Sequence, residues 1–387
     1  PPEAGNDLTL NLDIELQRIA EAGLGEFAGS VIAIEPHNWA VVVFVSKPGF
    51  DPNMFVHGFS HKDYEALQHG MYKPLFNRAL FGQYPPGSTF KPFIALAGIE
   101  QRRFGVKESI FCRGHYLLPG DETERKYRDW KKEGHGVVDL EESVEQSCDV
   151  YYYELAYRMG INSMHDFLAQ FGFGKKSGID LLGERRGLLP STDWKKRVHG
   201  KVWYPGETLI AGIGQGYMLA TPVQLAVATA ALASRGEMIV PRLLKEVHVP
   251  KDDSIREREP SKTMIKLRRD KHWKIIFDSM IEVVHGPWGT ARATGWGMKF
   301  KMAGKTGTAQ VFGIAQDEEY DEETVAKKLR DHALFVGFGP AEDPVLAVAV
   351  VADNGEHGSK MAPIARDVIK RYMEKYTSEH SSVSQVK

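Results

Sequence analysis

Residues 84–97 read YPPGSTFKPFIALA, that is Tyr84-Pro85-Pro86-Gly87-Ser88-Thr89-Phe90-Lys91, followed by an unbroken apolar run. Two prolines and a glycine cannot continue a regular element, so the chain turns there. From Ser88 to about Gln101, the apolar positions Phe90, Phe93, Ile94, Leu96, Ala97 and Ile99 predict a buried helix with Ser88 in its first turn. Residues three apart share a helix face, so Lys91 can reach the Ser88 hydroxyl. Two further short motifs stand in order behind it: Ser147-Cys148-Asp149, and Lys305-Thr306-Gly307-Thr308 near the other end.

Outward from that helix, the pattern is mixed. Leu8–Leu12 alternates like a strand, and Asp13 can cap a helix running to about Gly25. Two β-branched runs, Ser30–Glu35 and Trp39–Ser46, flank Pro36-His37-Asn38 as a hairpin. Ser60 and Asp63 can start a helix through Leu67. Cys112–Gly136 reads as an irregular loop region. Leu140–Met159 reads as helical, with Ser147–Asp149 inside it or at a break. Met218–Ala233 is another helix, entered through Gly212–Gly216, and Lys251–Lys262 is a charged surface loop. Lys301–Thr308, His332–Phe338 and Val345–Ala352 are strands, and Ala362–Tyr376 is a terminal helix. Strands at both ends with helices between predict an α+β domain, its antiparallel sheet built from the hairpin and the late strands. Residues 1–378 form this domain, and 379–387 a flexible tail.

Bulk composition narrows the classes. The 387 residues carry 49 basic and 51 acidic side chains, a net charge of −2, which leaves no electrostatic footprint for nucleic acid. Hydrophobic content of 42% and charged content of 26% are ordinary for a globular protein. No apolar run reaches the ~18–20 residues of a membrane span. The chain begins at Pro1 without a leader-like segment, as an excised piece of an anchored protein would.

The motifs carry a chemistry. A serine hydroxyl attacks only when a neighbour takes its proton. A lysine can be that base when burial or a second cation weakens its hold on protons, and Lys305 would be such a cation if its strand faces Ser88. Ser147 can pass a proton between Lys91 and a leaving group. Thr306 and Thr308 offer hydroxyls to a substrate carboxylate, Lys305 adds charge, and Gly307 lets a substrate backbone approach.

Read together, PPGSTFKP, SCD and AGKTGTAQVF resemble the three motifs of class B high-molecular-weight penicillin-binding proteins. Residues 50–56 (FDPNMFV), 127–130 (YRDW), 212–217 (GIGQGY) and 329–332 (LRDH) make the chain similar to their elongation-specific, Rod-type group (penicillin-binding protein 2) over nearly its whole length. On that resemblance, the anchor and pedestal of that group are expected to lie outside this sequence. The resemblance implies the fold shared by penicillin-binding proteins and serine β-lactamases. It implies a D,D-transpeptidase: Ser88 attacks the D-Ala-D-Ala bond of a peptidoglycan stem peptide, and an amine of a neighbouring stem resolves the acyl-enzyme. β-Lactams would trap the same serine.

Lys91, Ser147, Asp149 and Lys305 complete the implied catalytic set. Thr306, Gly307, Thr308 and Ala309 form the substrate strand, with Ser88 and Thr308 or Ala309 giving oxyanion N–H groups. Asp149 stands where such families usually have asparagine, so it would hold Lys91 by charge. The resemblance also implies a periplasmic domain of an inner-membrane protein, a glycan-polymerising partner and elongation-complex proteins. Two functions compete, a D,D-carboxypeptidase and a non-turnover β-lactam sensor. A class A β-lactamase does not fit, because Glu184-Arg185-Arg186-Gly187-Leu188 lacks the Glu-x-x-x-Asn element that positions water.

The two cysteines, Cys112 and Cys148, could form a disulfide, remain thiols or bind a metal. Some Rod-type relatives hold zinc near the active site. The resemblance therefore implies a structural zinc on Cys112, Asp129, His135 and Cys148, with His115 as a competing ligand.

Overall fold

The computed structural model describes residues 5–251, 254–256, 261–311, 326 and 329–383, with side chains described to 375. Its centre is one antiparallel sheet of five strands. These are β1 (Gly29–Ile34), β2 (Val41–Lys47), β3 (Ala303–Ala309), β4 (His332–Gly339) and β5 (Leu346–Ala352), in the order β3-β4-β5-β1-β2. The hairpin and the late strands thus meet as expected, with β5 beside β1 in the register Val350↔Val31. Every residue of β1 and β5 is buried. That is why LAVAVVA is an unbroken apolar run: a strand covered on both faces needs no polar alternation.

Helices supply the cover. The elements used below are α1 (Ile14–Leu24), α2 (Lys91–Glu100), α3 (Leu140–Glu145), α4 (Asp149–Met159), α5 (Pro222–Ala233), α6 (Lys271–His285) and α7 (Ala362–Val383). Helix α5 packs on β5 and β1, while α7 packs on β4 and β5 and against α1. Asp13 caps α1, its carboxylate accepting from the Glu15 N–H at 2.9 Å and the Leu16 N–H at 3.2 Å. All ten residues of α2 are buried, so the helix that begins at Lys91 runs through the core.

The structure departs from the sequence expectations locally. Ser88 lies in a 3-10 turn, Gly87–Phe90, that leads into α2. The 218–233 helix begins only at Pro222, where Thr221 and Gln224 form a capping box. The region 112–136 contributes to two antiparallel ribbons of three-residue strands. Ile110–Cys112 pairs with Gly136–Val138, and His115–Leu117 with Lys126–Arg128. Within 251–262, Ser254–Arg256 is a strand, and 252, 253 and 257–260 lie outside the described residues. The backbone of α7 is helical through Val383, beyond the expected end near Tyr376, and residues 384–387 lie outside the described residues.

Candidate active site

Three chain segments converge at the open edge of β3. The 3-10 turn carrying half-buried Ser88 packs on it. Gly87 has φ +53°, and a Cβ there would lie 2.4 Å from the Thr308 carbonyl oxygen, so only glycine fits. Gly307 answers from the strand: its Cβ would meet Thr89 Cγ2 at 2.7 Å. Glycine at 307 is therefore required first by the turn carrying Ser88. The loop 212–217 closes the junction, with Gly87 N–H donating to Gly214 O at 2.9 Å and Gln215 Nε2 to Thr308 O at 3.0 Å.

The second motif breaks the predicted helix. Helix α3 ends at Glu145 and α4 begins at Asp149, with Ser147 between them at φ +57°. Left-handed backbone costs a non-glycine residue about 1–2 kcal/mol. The contacts that this conformation permits offset the cost. Lys91, wholly buried, donates to Ser147 O at 2.7 Å, to Ser147 Oγ at 3.2 Å and to Asp149 Oδ1 at 2.7 Å. An ammonium has three N–H groups, and all three are used. The Asp149 Oδ2 accepts the Trp130 N–H at 3.2 Å. Burial raises the Asp149 carboxyl above the usual carboxylate range, and the Lys91 charge only partly opposes it.

Lys305 is also wholly buried, with its Nζ donating to Thr306 O at 3.2 Å. Burial first, then the nearby Lys91 charge, hold its ammonium well below the ordinary lysine range; Asp149 pulls the other way. The strand alternates, so Thr306 and Thr308 share one face. The Thr306 hydroxyl lies 2.7 Å from the Thr290 hydroxyl. Because Thr308 O points out to Gln215, the Thr308 N–H points to the same open edge, while Ala309 faces its partner His332.

Beside this centre, Cys112, Asp129, His135 and Cys148 offer ligand atoms that all lie within 4.8 Å of one another. Both cysteines are buried free thiols, so no disulfide joins them. Asp129 Oδ2 lies 3.5 Å from Cys112 Sγ and 3.4 Å from Cys148 Sγ. His135 Nδ1 lies 3.6 Å from Cys112 Sγ and 3.6 Å from Asp129 Oδ1. Tetrahedral zinc, with bonds of about 2.0–2.3 Å, sets its ligands about 3.3–3.8 Å apart, so donor chemistry and spacing both fit. His115 is not part of the cluster. Burial opposes charge on Asp129, but its hydrogen bond with His135 and the Lys91 charge outweigh it and hold the carboxyl at about 2.

Sequence reasoning missed Glu145, Gln215 and Thr290 as partners of the motifs. Their contacts with the motif strand and the α6–β3 turn span 143, 93 and 16 residues, beyond any local pattern. The capping boxes Asp139–Glu142 and Thr221–Gln224 were overlooked signals with a readable signature.

A half-buried serine in a turn ahead of a buried lysine, a Ser-Cys-Asp break and a Lys-Thr-Gly-Thr edge strand, assembled this way, define a penicillin-binding transpeptidase domain. The chain belongs to that family: the profile described as "Penicillin binding protein transpeptidase domain" matches residues 29–370. Within it, the chain is 42% identical to the peptidoglycan D,D-transpeptidase MrdA of Acinetobacter baumannii over 375 residues, which is 96% of this chain and 54% of the relative. The chain thus spans about half the length of that curated relative. The crystal structure of Pseudomonas aeruginosa PBP2 in complex with WCK 5153 is similar at 44% identity and a TM-score of 0.86, covering 96% of this chain and 79% of that one. A complex between PBP2 and MreC from Helicobacter pylori is similar at 30% identity and a TM-score of 0.83, covering 95% and 64%.

Proposed function

We propose that this chain is the D,D-transpeptidase domain of a peptidoglycan-cross-linking enzyme of cell elongation. The observation that carries the reading is the Lys91 side chain, wholly buried at the start of the helix that follows the Ser88 turn and bonded to both Ser147 and Asp149. Ser88 Oγ attacks the carbonyl of the penultimate D-alanine as Lys91, acting in its free-amine form after its ammonium has released a proton, takes the serine proton. Ser147 relays that proton to the departing D-alanine amine, and Asp149 keeps Lys91 in place. The oxyanion is held by the N–H groups of Ser88 and Thr308, the latter favoured over Ala309 because it faces the open edge. Thr306 and Thr308 bind the terminal carboxylate, with Lys305 behind them and Gly307 and Ala309 completing the strand. An amine of a second stem then attacks the ester and frees Ser88.

Cys112, Asp129, His135 and Cys148 would hold a structural zinc. A metal with four protein ligands has no open position and supplies rigidity rather than chemistry. Cys148 lies between Ser147 and Asp149, so the cluster braces the second motif. The domain would work on the periplasmic side, beside a glycan-polymerising partner. The relation to a protein solved with MreC supports an elongation complex as its setting. β-Lactams would acylate Ser88.

A fluorescent penicillin followed by peptide mass spectrometry tests the reading. The label is expected on the Ser88 peptide and absent from Ser88→Ala. Labelling that persists in that variant refutes it. Adding an amine acceptor to a stem-peptide substrate separates the transpeptidase from a carboxypeptidase, which releases only hydrolysed product, and from a sensor, which turns over nothing.

A further inference from the structure

Thr290 belongs to none of the three motifs, yet it links the third to the end of the helix just before the second. It lies in the turn between α6 and β3, half-buried. Its hydroxyl is 2.7 Å from that of Thr306. Its N–H donates to the carbonyl of Glu145 at 3.3 Å, two residues before Ser147. The same glutamate anchors the turn again, Oε1 accepting the Trp288 N–H at 2.9 Å. The turn 286–290 is thus fastened to the end of α3 at one side and to the edge strand at the other.

Two hydroxyls at this distance share one hydrogen bond, and its direction matters. Each has one proton to give and two lone pairs to receive. If Thr306 donates to Thr290, it has no proton left for a ligand. If Thr290 donates to Thr306, the Thr306 O–H is free. A carboxylate only accepts, so its arrival selects the second arrangement, and the donation from Thr290 polarises the Thr306 hydroxyl further.

We propose that Thr290 is a positioning residue for carboxylate recognition, orienting the Thr306 hydroxyl as a donor to the substrate or drug. The proposal rests on the reading of Thr306 and Thr308 as the carboxylate subsite. Thr290 acts through Thr306, so its removal weakens selection for the negative charge and leaves the acylating machinery at Ser88 and Lys91 untouched.

The test compares Thr290→Val, which keeps the shape and loses the hydroxyl, with Thr290→Ser, which keeps the hydroxyl. The second-order rate constant for Ser88 acylation is measured with a penicillin bearing its free carboxylate and with the methyl ester of the same penicillin. Hydrogen bonds to charged groups are strong enough that about a tenfold loss is expected for Thr290→Val with the carboxylate. The ester rate should be unchanged, and Thr290→Ser should restore the carboxylate rate. Equal losses with both drugs would show a merely structural role and overturn the proposal, as would no loss at all. A wild-type protein that acylates equally fast with acid and ester removes the carboxylate subsite itself and this proposal with it. A wild-type protein not acylated at Ser88 by either drug defeats the transpeptidase reading instead.

Discussion

Replacing Asp149 by asparagine removes one negative charge and little else. The amide oxygen can still accept from Lys91, which lies 2.7 Å away in wild type. At that separation, and with an effective dielectric constant of about 20, the Coulomb attraction is roughly 6 kcal/mol before desolvation is counted. Removing one partner of a buried pair costs about 3–5 kcal/mol net, and the retained hydrogen bond places Asp149→Asn at the lower end. The variant also leaves Lys91 and buried Lys305 close together with Asp149 no longer charged between their influences, Asp129 being the remaining acidic group that interacts with Lys91. The expected result is a stability loss of about 3 kcal/mol and slower acylation of Ser88, because Lys91 keeps a hydrogen bond but loses its charged partner. Stopped-flow acylation with a chromogenic cephalosporin, together with thermal melts, measures both effects. If the variant matches wild type in both stability and acylation rate, the Asp149 charge contributes nothing and its role reduces to hydrogen bonding.

Gly87→Ala should lower acylation at least ~100-fold, because the new Cβ meets the Thr308 carbonyl oxygen at 2.4 Å and a 1 Å displacement of reacting groups costs that much; penicillin labelling reads it. Ser147→Gly relieves a left-handed serine, worth about 1–2 kcal/mol, but strips a buried Lys91 N–H of its acceptor at a cost of about 1–3 kcal/mol, so Tm should change little or fall while acylation slows, and a melt paired with labelling reads both. Protein purified without added metal should contain about one zinc per chain, and chelation should lower both Tm and acylation rate; reductant sensitivity in place of chelator sensitivity would contradict this. Burial pushes the Asp13 carboxyl up, but hydrogen bonds from Lys375 and the Leu16 and Glu15 N–H groups outweigh it and hold the group below its ordinary value. Its folded-state value is the lower one, so its contribution is present at neutral pH and lost as pH falls through that value. The Tm gap between wild type and Asp13→Asn should therefore close in acid.

What was legible in the sequence follows from locality. The hairpin, the late strands and the Asp13 cap rest on neighbours in sequence, and the structure contains them. The three motifs were legible as residue types in order, and the structure brings Lys91 onto Ser147 and Asp149. The helix break at Ser147 was harder to place, because serine carries no signal for positive φ of the kind glycine gives. The three-residue ribbons around the cysteine cluster are too short to show a period. Gly307 was read as room for a ligand, when the nearer constraint is Thr89 from a turn more than two hundred residues earlier. Such constraints depend on which segments meet, and meeting is a property of the whole fold.

The edge strand β3 has a consequence for solubility. An unpaired strand edge offers alternating donors and acceptors, and that alternation is the template on which another chain can add. Many proteins blunt an edge with proline or with outward charges, but neither is compatible with a strand that must receive a ligand. Here two outward carbonyls already receive donors from within the chain: Thr306 O from Lys305 Nζ and Thr308 O from Gln215 Nε2. The edge is left presenting mainly N–H groups. Such a surface suits a guest rich in acceptors, such as a carboxylate or an oxyanion, and pairs poorly with a neighbouring backbone that needs acceptors in return. The polarity that favours the guest thus also protects the protein from polymerising through its own active site.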